Sequence, residues 1–362
     1  MGISNLMNNL KKDIFLNDRR ICCVSDIHIG VHQNSAQWHQ IILDWSKWLA
    51  SELREQNIKD IVISGDFFHY RDEIAVNTIH FVKEILDEWS EFNIIILVGN
   101  HDAYYKDRSD VNSLTILQGW PNITIVPELR SETIFGKKIT FVPWGVGVED
   151  IPESDIVFGH FEINSFKQTN FKVCQSGVSS KDLLSKSNLI ITGHFHLREE
   201  RVYNNGTILY LGSPFQMDFG DVGSSKGYYI LDVEDKTFEF FENEKSPKHV
   251  KLLLSDLVKQ KKLTKDVKDS LENSFVKFII DRNIAPDEID FVVQKLNSYK
   301  PISINVDYAN NFNMFAISDD TRKDLSGIDI EAAIEEFIDL MDIDNKAKVT
   351  EYTLELYKST LQ

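Results

Sequence analysis

Short apolar runs of strand length recur along the first part of the chain: Ile21 to Ser25, Ile61 to Ser64, Ile94 to Val98, Ile139 to Val142, Ile156 to Phe158 and Leu189 to Ile191. They are unbroken rather than alternating, as expected of strands buried on both faces. Between the first three the period changes. Trp38, Ile41, Ile42, Trp45, Leu49 and Leu53, then Val76, Ile79, Val82, Ile85, Leu86 and Trp89, follow the i, i+3, i+4, i+7 spacing of one buried helix face. Strand, helix, strand, helix, strand predicts an α/β fold with a parallel sheet flanked by helices. From Ile208 to Val233 the runs shorten around Gly212, Gly220, Gly223 and Gly227. This pattern closes a first domain over 20–233, behind an N-terminal extension over 1–19.

Beyond it, a lysine-rich stretch from Lys248 to Lys268 leads to a strand (Phe275 to Ile280), a helix (Pro286 to Leu296) and a strand (Ile302 to Tyr308). These predict a small α/β capping domain within 234–310. Polar residues 311–327 read as a linker. In 328–362, Ile330, Ile334, Phe337, Ile338 and Met341, then Val349, Tyr352 and Leu356, mark two short amphipathic helices. Isolated helices of that length are marginal in water, so their apolar stripe needs a partner surface.

The strand-like runs end in ligand-type residues: Asp26-Ile27-His28, Gly65-Asp66, Gly99-Asn100-His101-Asp102, Gly159-His160 and Gly193-His194-Phe195-His196. Ligands of open α/β sheets bind beyond the carboxyl ends of the strands, so these loops can converge. Any one piece alone is more often a satisfied polar group in a loop; the ordered recurrence after a strand sets the group apart. Carboxylate, amide and imidazole donors suit six-coordinate Mn²⁺ or Fe²⁺ better than Zn²⁺, because no thiolate joins them. Asp26, His28, Asp66, Asn100, His160, His194 and His196 are too many for one ion. Two ions about 3.5–4 Å apart, sharing a carboxylate, would use them all. His32, His39, His80 and His249 have no clustered partners and read as surface or helix residues.

Composition narrows the class. With 42% apolar and 26% charged residues the chain is of ordinary globular type. Its longest apolar run, Ile94 to Val98, is far short of the roughly 18 residues of a membrane span. No leader is visible at the N-terminus, and the expectation is a cytoplasmic protein without a membrane role. Three cysteines, with Cys22 and Cys23 inside an apolar run, point to core thiols in a reducing compartment. The net charge of −17 repels phosphate, so any action on DNA must rely on a local site, metal ions or a partner.

The ordered set D-x-H, G-D, G-N-H-D, G-H and G-H-x-H resembles the calcineurin-like metallophosphoesterase superfamily, whose fold layers β-sheets between helices. Gly65-Asp66-Phe67-Phe68-His69, and Gly212-Ser213-Pro214 followed by Phe219-Gly220 and Lys226-Gly227, resemble more narrowly its SbcD-type branch, nucleases that process DNA double-strand breaks. The length, small second domain and C-terminal helix pair are similar to the phage recombination endonuclease subunits of that branch. The extension Met1 to Arg19 departs from it, since such chains usually start almost at the first strand.

The resemblance implies one ion on Asp26, His28, Asp66 and His196 and another on Asp66, Asn100, His160 and His194. Two Mn²⁺ are expected, with Fe²⁺ or Mg²⁺ as substitutes. His101, beside the ligand Asn100, is the candidate general acid, with Asp102 expected to hold its imidazole. His69 is expected to steer the phosphate or the DNA strand. An SbcC-like ABC ATPase is the implied partner, docked on 328–362, in a heterotetramer containing a homodimer of this chain. The alternative is a stand-alone metallophosphoesterase for a nucleotide or phosphoprotein, which suits the acidity better but leaves the second domain and helix pair without a task. Exonuclease and endonuclease preferences stay open.

Overall fold

The computed structural model describes residues 14, 16–170, 172–259, 263–282, 284–309, 338 and 345–359. In chain order the elements are β1 (Arg20–Val24), α1 (Ala36–Glu55), β2 (Asp60–Ile63), α2 (Val76–Glu88), β3 (Asn93–Leu97), β4 (Ile123–Val126), β5 (Arg130–Ile134), β6 (Lys137–Val142), β7 (Ile156–His160), β8 (Lys167–Thr169) and β9 (Lys172–Val173). There follow α3 (Ser180–Leu184), β10 (Leu189–Gly193), β11 (Glu199–Tyr203), β12 (Gly206–Tyr210), β13 (Gly227–Asp232), β14 (Thr237–Glu242), β15 (Lys248–Leu253), α4 (Leu254–Lys259), α5 (Lys265–Leu271), β16 (Ser274–Ile280), α6 (Pro286–Asn297), β17 (Ser303–Tyr308) and α7 (Lys346–Ser359).

Two six-stranded sheets dominate, in the orders β14-β13-β1-β2-β3-β4 and β11-β12-β10-β7-β6-β5. The unbroken apolar runs are their inner strands, and alternate residues serve two different layers. Cys22, Val24, Ile61, Ile63, Ile94 and Ile96 face α1 and α2 in one core. Cys23, Val62, Ile95 and Leu97 face the second sheet and meet Ile139, Phe141, Ile156, Phe158, Leu189 and Ile191. The far face of that sheet, with Val142, Val157, Ile190 and Ile208, is covered by Leu183 and Leu184 of α3. The chain is thus a mixed α/β protein of layered sheets flanked by helices. β1, β2 and β3 run parallel to one another, as do β6, β7 and β10, so the loops that leave them can meet at one edge.

The helix α1 buries the predicted residues. In α2 the first turn departs: Val76 and Ile79 are exposed, at 72% and 44%. Thr78 is buried instead, its hydroxyl donating to Asn34 Oδ1 at 2.7 Å, so the apolar face begins only at Phe81. The first sheet also runs past the expected boundary at 233, because β14 pairs with β13 as a half-buried edge strand. The end of the extension is tied down: Ile14 and Leu16 enter the core between the sheets, and the Asn17 and Asp18 amides donate to Asp60 Oδ2 at 2.8 and 2.9 Å.

The lysine-rich stretch opens with a strand, β15, parallel to β16 in a three-stranded sheet, followed by α4 and α5. Leu252, Leu271, Val276, Phe278 and Leu296 form its own core. His249 corrects the surface reading. It is buried, lying 4.9 Å from the Phe275 ring and 6.2 Å from the Trp38 ring, both nearly parallel to it, with Phe219 edge-on at 4.8 Å. It sits on β15, its amide donating to Gln216 Oε1 at 2.7 Å, and three aromatic neighbours enclose its ring.

Residues up to Asp307 form one compact unit and Tyr308–Gln362 another. In the second, α7 matches the second predicted amphipathic helix, with Tyr352 69% exposed. The expected linker 311–327 lies outside the described residues, as does all of the first predicted helix except residue 338. Among the described residues no helix is long and apolar enough to cross a membrane.

Candidate metal centre

The predicted ligands gather where the two sheets present the C-terminal ends of β1, β2, β3, β7 and β10. Asp26, His28, Asp66 and His194 all have positive φ, at 56°, 51°, 54° and 96°. Non-glycine residues reach that region at a cost of about 1–3 kcal/mol each, and such strain concentrates at functional sites. Close approach is also built in. A Cβ on Gly99 would lie 2.2 Å from Asp66 Oδ1, and one on Gly65 (φ +96°) would lie 2.3 Å from His160 Nδ1.

Two donor groups result, one of Asp26, His28 and His196 and one of Asp66, His160 and His194, with ligand atoms in each within 4.8 Å of one another. Bond lengths of about 2.1 Å around one ion imply donor separations of that order. In the first group, His28 Nε2 and His196 Nε2 face each other at 3.0 Å. In the second, Asn100 Oδ1 lies 2.8 Å from His194 Nδ1 and 2.9 Å from His160 Nε2. Asp66 Oδ2 sits between them, 3.6 Å from His28 Nε2 and 3.3 Å from His160 Nε2. All of these donors are oxygen or nitrogen, and the residues fit a pair of divalent ions. A third group, His28, His69 and His101, is equally compact but has no carboxylate.

Neighbouring groups hold the donors in place. His160 Nδ1 donates to the Ser64 carbonyl at 2.7 Å, which leaves Nε2 for the site. The His194 amide donates to both oxygens of Asp26, at 3.1 and 3.2 Å. The His101 amide donates to Asp66 Oδ1 at 2.8 Å, turning Oδ2 towards the imidazoles. Burial pushes the Asp66 carboxyl up, but His160 and then His28 overcome it and hold it below the usual carboxylate range. Burial pushes His160 down, and the Asp66 and Asp26 carboxylates reverse this to about 9. Burial holds His28 well below its ordinary value, and burial with the His160 charge holds His194 at about 3.

The structure corrects the role expected of Asp102. Its enclosed carboxylate does not orient the His101 ring; it accepts the backbone N–H groups of Phe68, Gly99 and Phe67 at 2.9, 3.0 and 3.3 Å. Burial and the nearby Asp66 charge push it up to about 7 against those three bonds. His101 is oriented instead by the His69 carbonyl, to which Nδ1 donates at 2.7 Å. His69 Nδ1 is 3.3 Å from His28 Nδ1, so its ring braces a candidate ligand. Burial and His101 hold His69 at about 4. His69 and His101 line an open cavity of about 500 Å³ with Tyr70, Arg71, Asp72 and Tyr104.

Trp144 near the site was not anticipated, and Lys226, part of the motif that carries the resemblance, was given no role there. The Trp144 ring lies 5.2 Å from His194 and 6.0 Å from His160, and its amide donates to the Val98 carbonyl. Lys226 is buried, with Nζ 2.6 Å from the His196 carbonyl oxygen. The signal for a role was its place in that motif, directly before the apolar start of β13. His32, His39 and His80 stand apart from the donor groups: His32 pairs with the Met217 carbonyl, His39 stacks on Phe81, and His80 is exposed.

Residues 19–198 match the calcineurin-like phosphoesterase family. The chain is 28% identical over 235 residues to exonuclease subunit 1 of Enterobacteria phage T4, covering 62% of this chain and 68% of that one. It is 26% identical over 254 residues to the SbcD component of the nuclease SbcCD of Staphylococcus epidermidis, covering 60% of this chain and 66% of that one. Residues 19–198 thus carry a calcineurin-like phosphoesterase domain, which together with the two nuclease relatives supports a metal-dependent phosphodiesterase.

Proposed function

We propose that the chain is a DNA nuclease subunit that hydrolyses phosphodiester bonds with two Mn²⁺ ions and works with an SbcC-like ABC ATPase in DNA end processing, recombination and repair. The observation that carries this reading is the Asp66 carboxylate lying between two donor groups, beside an imidazole that lines an open cavity. Asp26, His28, Asp66 and His196 would hold one ion, and Asp66, Asn100, His160 and His194 the other. Such a pair supplies an activated water and neutralises the charge of an in-line displacement.

The protein's own contribution is orientation and proton transfer. The His69 carbonyl accepts a hydrogen bond from His101 Nδ1–H, so Nε2 is the atom left to donate a proton to the leaving sugar oxygen. His69 fixes the His28 ring and forms part of the cavity wall. The nuclease names of both relatives support DNA as substrate, and the helices in 328–362 are the segment we assign to the ATPase. The heterotetramer, its homodimer and a cytoplasmic place of action belong to the same proposal.

The charge of −17 favours a second reading, a stand-alone phosphoesterase for a nucleotide or phosphoprotein. One assay separates them: digestion of linear DNA and of a nitrophenyl phosphodiester, with Mn²⁺ or excess chelator, with and without the ATPase. Mn²⁺-dependent DNA cleavage supports the nuclease. Mn²⁺-dependent cleavage of the small diester alone, with or without the ATPase, supports the second reading, and cleavage of either substrate in excess chelator refutes both.

A further inference from the structure

Lys226, just before β13, has no part in the reaction, yet its side chain is only 3% exposed and that of its partner Asp221 only 7%. Its Nζ donates to Asp221 Oδ1 at 2.6 Å, to Ser213 Oγ at 2.9 Å and to the His196 carbonyl at 2.6 Å, which uses all three protons. Asp221 Oδ2 accepts the Met217 amide at 2.9 Å. The Ser213 amide gives the His196 carbonyl a second bond at 3.1 Å. Gly212, at φ +71°, makes this approach possible, since a Cβ there would stand 2.8 Å from that carbonyl oxygen.

A buried ion pair is desolvated at a cost that an apolar pair of the same volume avoids, so stability alone is a poor reason for one here. Its contacts suggest another. The pair joins the loop between β12 and β13 to the backbone of one residue whose imidazole faces His28. His194, on the same loop as His196, is held separately, by Asp26 through its amide and by Asn100 through Nδ1.

We propose that Lys226 and Asp221 are positioning residues for His196, fixing the backbone from which its imidazole reaches the ion on Asp26 and His28 and so setting the affinity of that ion alone. The proposal rests on the two-ion reading above. Outer-shell partners of metal ligands are typically worth about 10–100-fold in metal affinity.

The test is Mn²⁺ titration calorimetry on the full chain, comparing wild type, Lys226→Met and the double variant Lys226→Met/Asp221→Leu. Wild type should bind two ions. Lys226→Met should keep one site at wild-type affinity and weaken the other by about 10–100-fold. Electron paramagnetic resonance at two equivalents should then change from a spin-coupled pair to an isolated ion. The double variant, with both charges removed, should regain an unfolding midpoint lost by the single one but not the lost affinity; it also carries the test if Lys226→Met does not fold. Wild-type affinity at both sites, equal weakening of both, or affinity regained together with the midpoint would each overturn the proposal. A wild-type protein that binds fewer than two ions would instead sink the two-ion reading itself.

Discussion

Replacing Asp102 by alanine should loosen the protein rather than merely disarm it. The carboxylate is fully enclosed and accepts three backbone N–H groups, two from the loop after β2 and one from the loop after β3. Removing it strands those donors where water reaches poorly, and each unsatisfied buried group costs about 1–3 kcal/mol. The Phe67 bond is the longest, and a water could occupy part of the space left, so a loss of about 3–5 kcal/mol is expected. Urea unfolding followed by tryptophan fluorescence should show a clearly lowered midpoint. Asp102→Asn, which keeps one acceptor oxygen but turns an NH₂ towards an N–H, should fall in between. Had Asp102 served the His101 imidazole, the alanine variant would lose rate while keeping its midpoint. An unfolding free energy within about 0.5 kcal/mol of wild type, with activity lost, would refute the reasoning.

Three other outcomes follow from the same geometry. His101→Ala should bind Mn²⁺ normally in calorimetry yet cleave DNA about 10²–10⁴-fold more slowly; lost metal would make it a ligand, and full rate would remove it from the mechanism. His249 is held at about 4 by burial, partly offset by Asp221 and Asp218 and reinforced by His32. Because its folded value lies below the ordinary 6.5, the unfolded chain takes up the proton first, so stability is full above about 6.5 and falls as pH drops towards 4. His249→Phe should flatten that part of the stability profile, and an unchanged acid limb would show that other groups set it. Deleting 328–362 should leave Mn²⁺-dependent cleavage of short single-stranded DNA intact but abolish co-purification with the ATPase; an undiminished complex would place the partner surface elsewhere.

Much of the architecture was legible because the inner strands hold unbroken apolar runs, and β1, β2, β3, β7 and β10 each lead within a few residues to a ligand. The donor set was legible for the same reason: Asp26, Asp66, Asn100 and His194 follow, and His160 ends, a strand that reaches the shared edge. Edge and exposed elements were less visible. β14 is half polar and pairs on one side only, and the first turn of α2 buries a threonine in place of two apolar residues. The partners of buried polar groups were hidden altogether. His101 and Asp102 are neighbours in sequence, but one turns to the His69 carbonyl and the other to amides of two separate loops. Lys226 and His196 meet across 30 residues, through a contact that no local pattern encodes.

The central claim is that Asp66 joins two metal sites, and anomalous diffraction at the manganese edge from crystals soaked in Mn²⁺ tests it most directly. Two peaks should appear about 3.5–4 Å apart, one beside Asp26, His28 and His196 and one beside Asn100, His160 and His194, with the Asp66 carboxylate between them. A single peak, or one centred on His28, His69 and His101, would contradict the account.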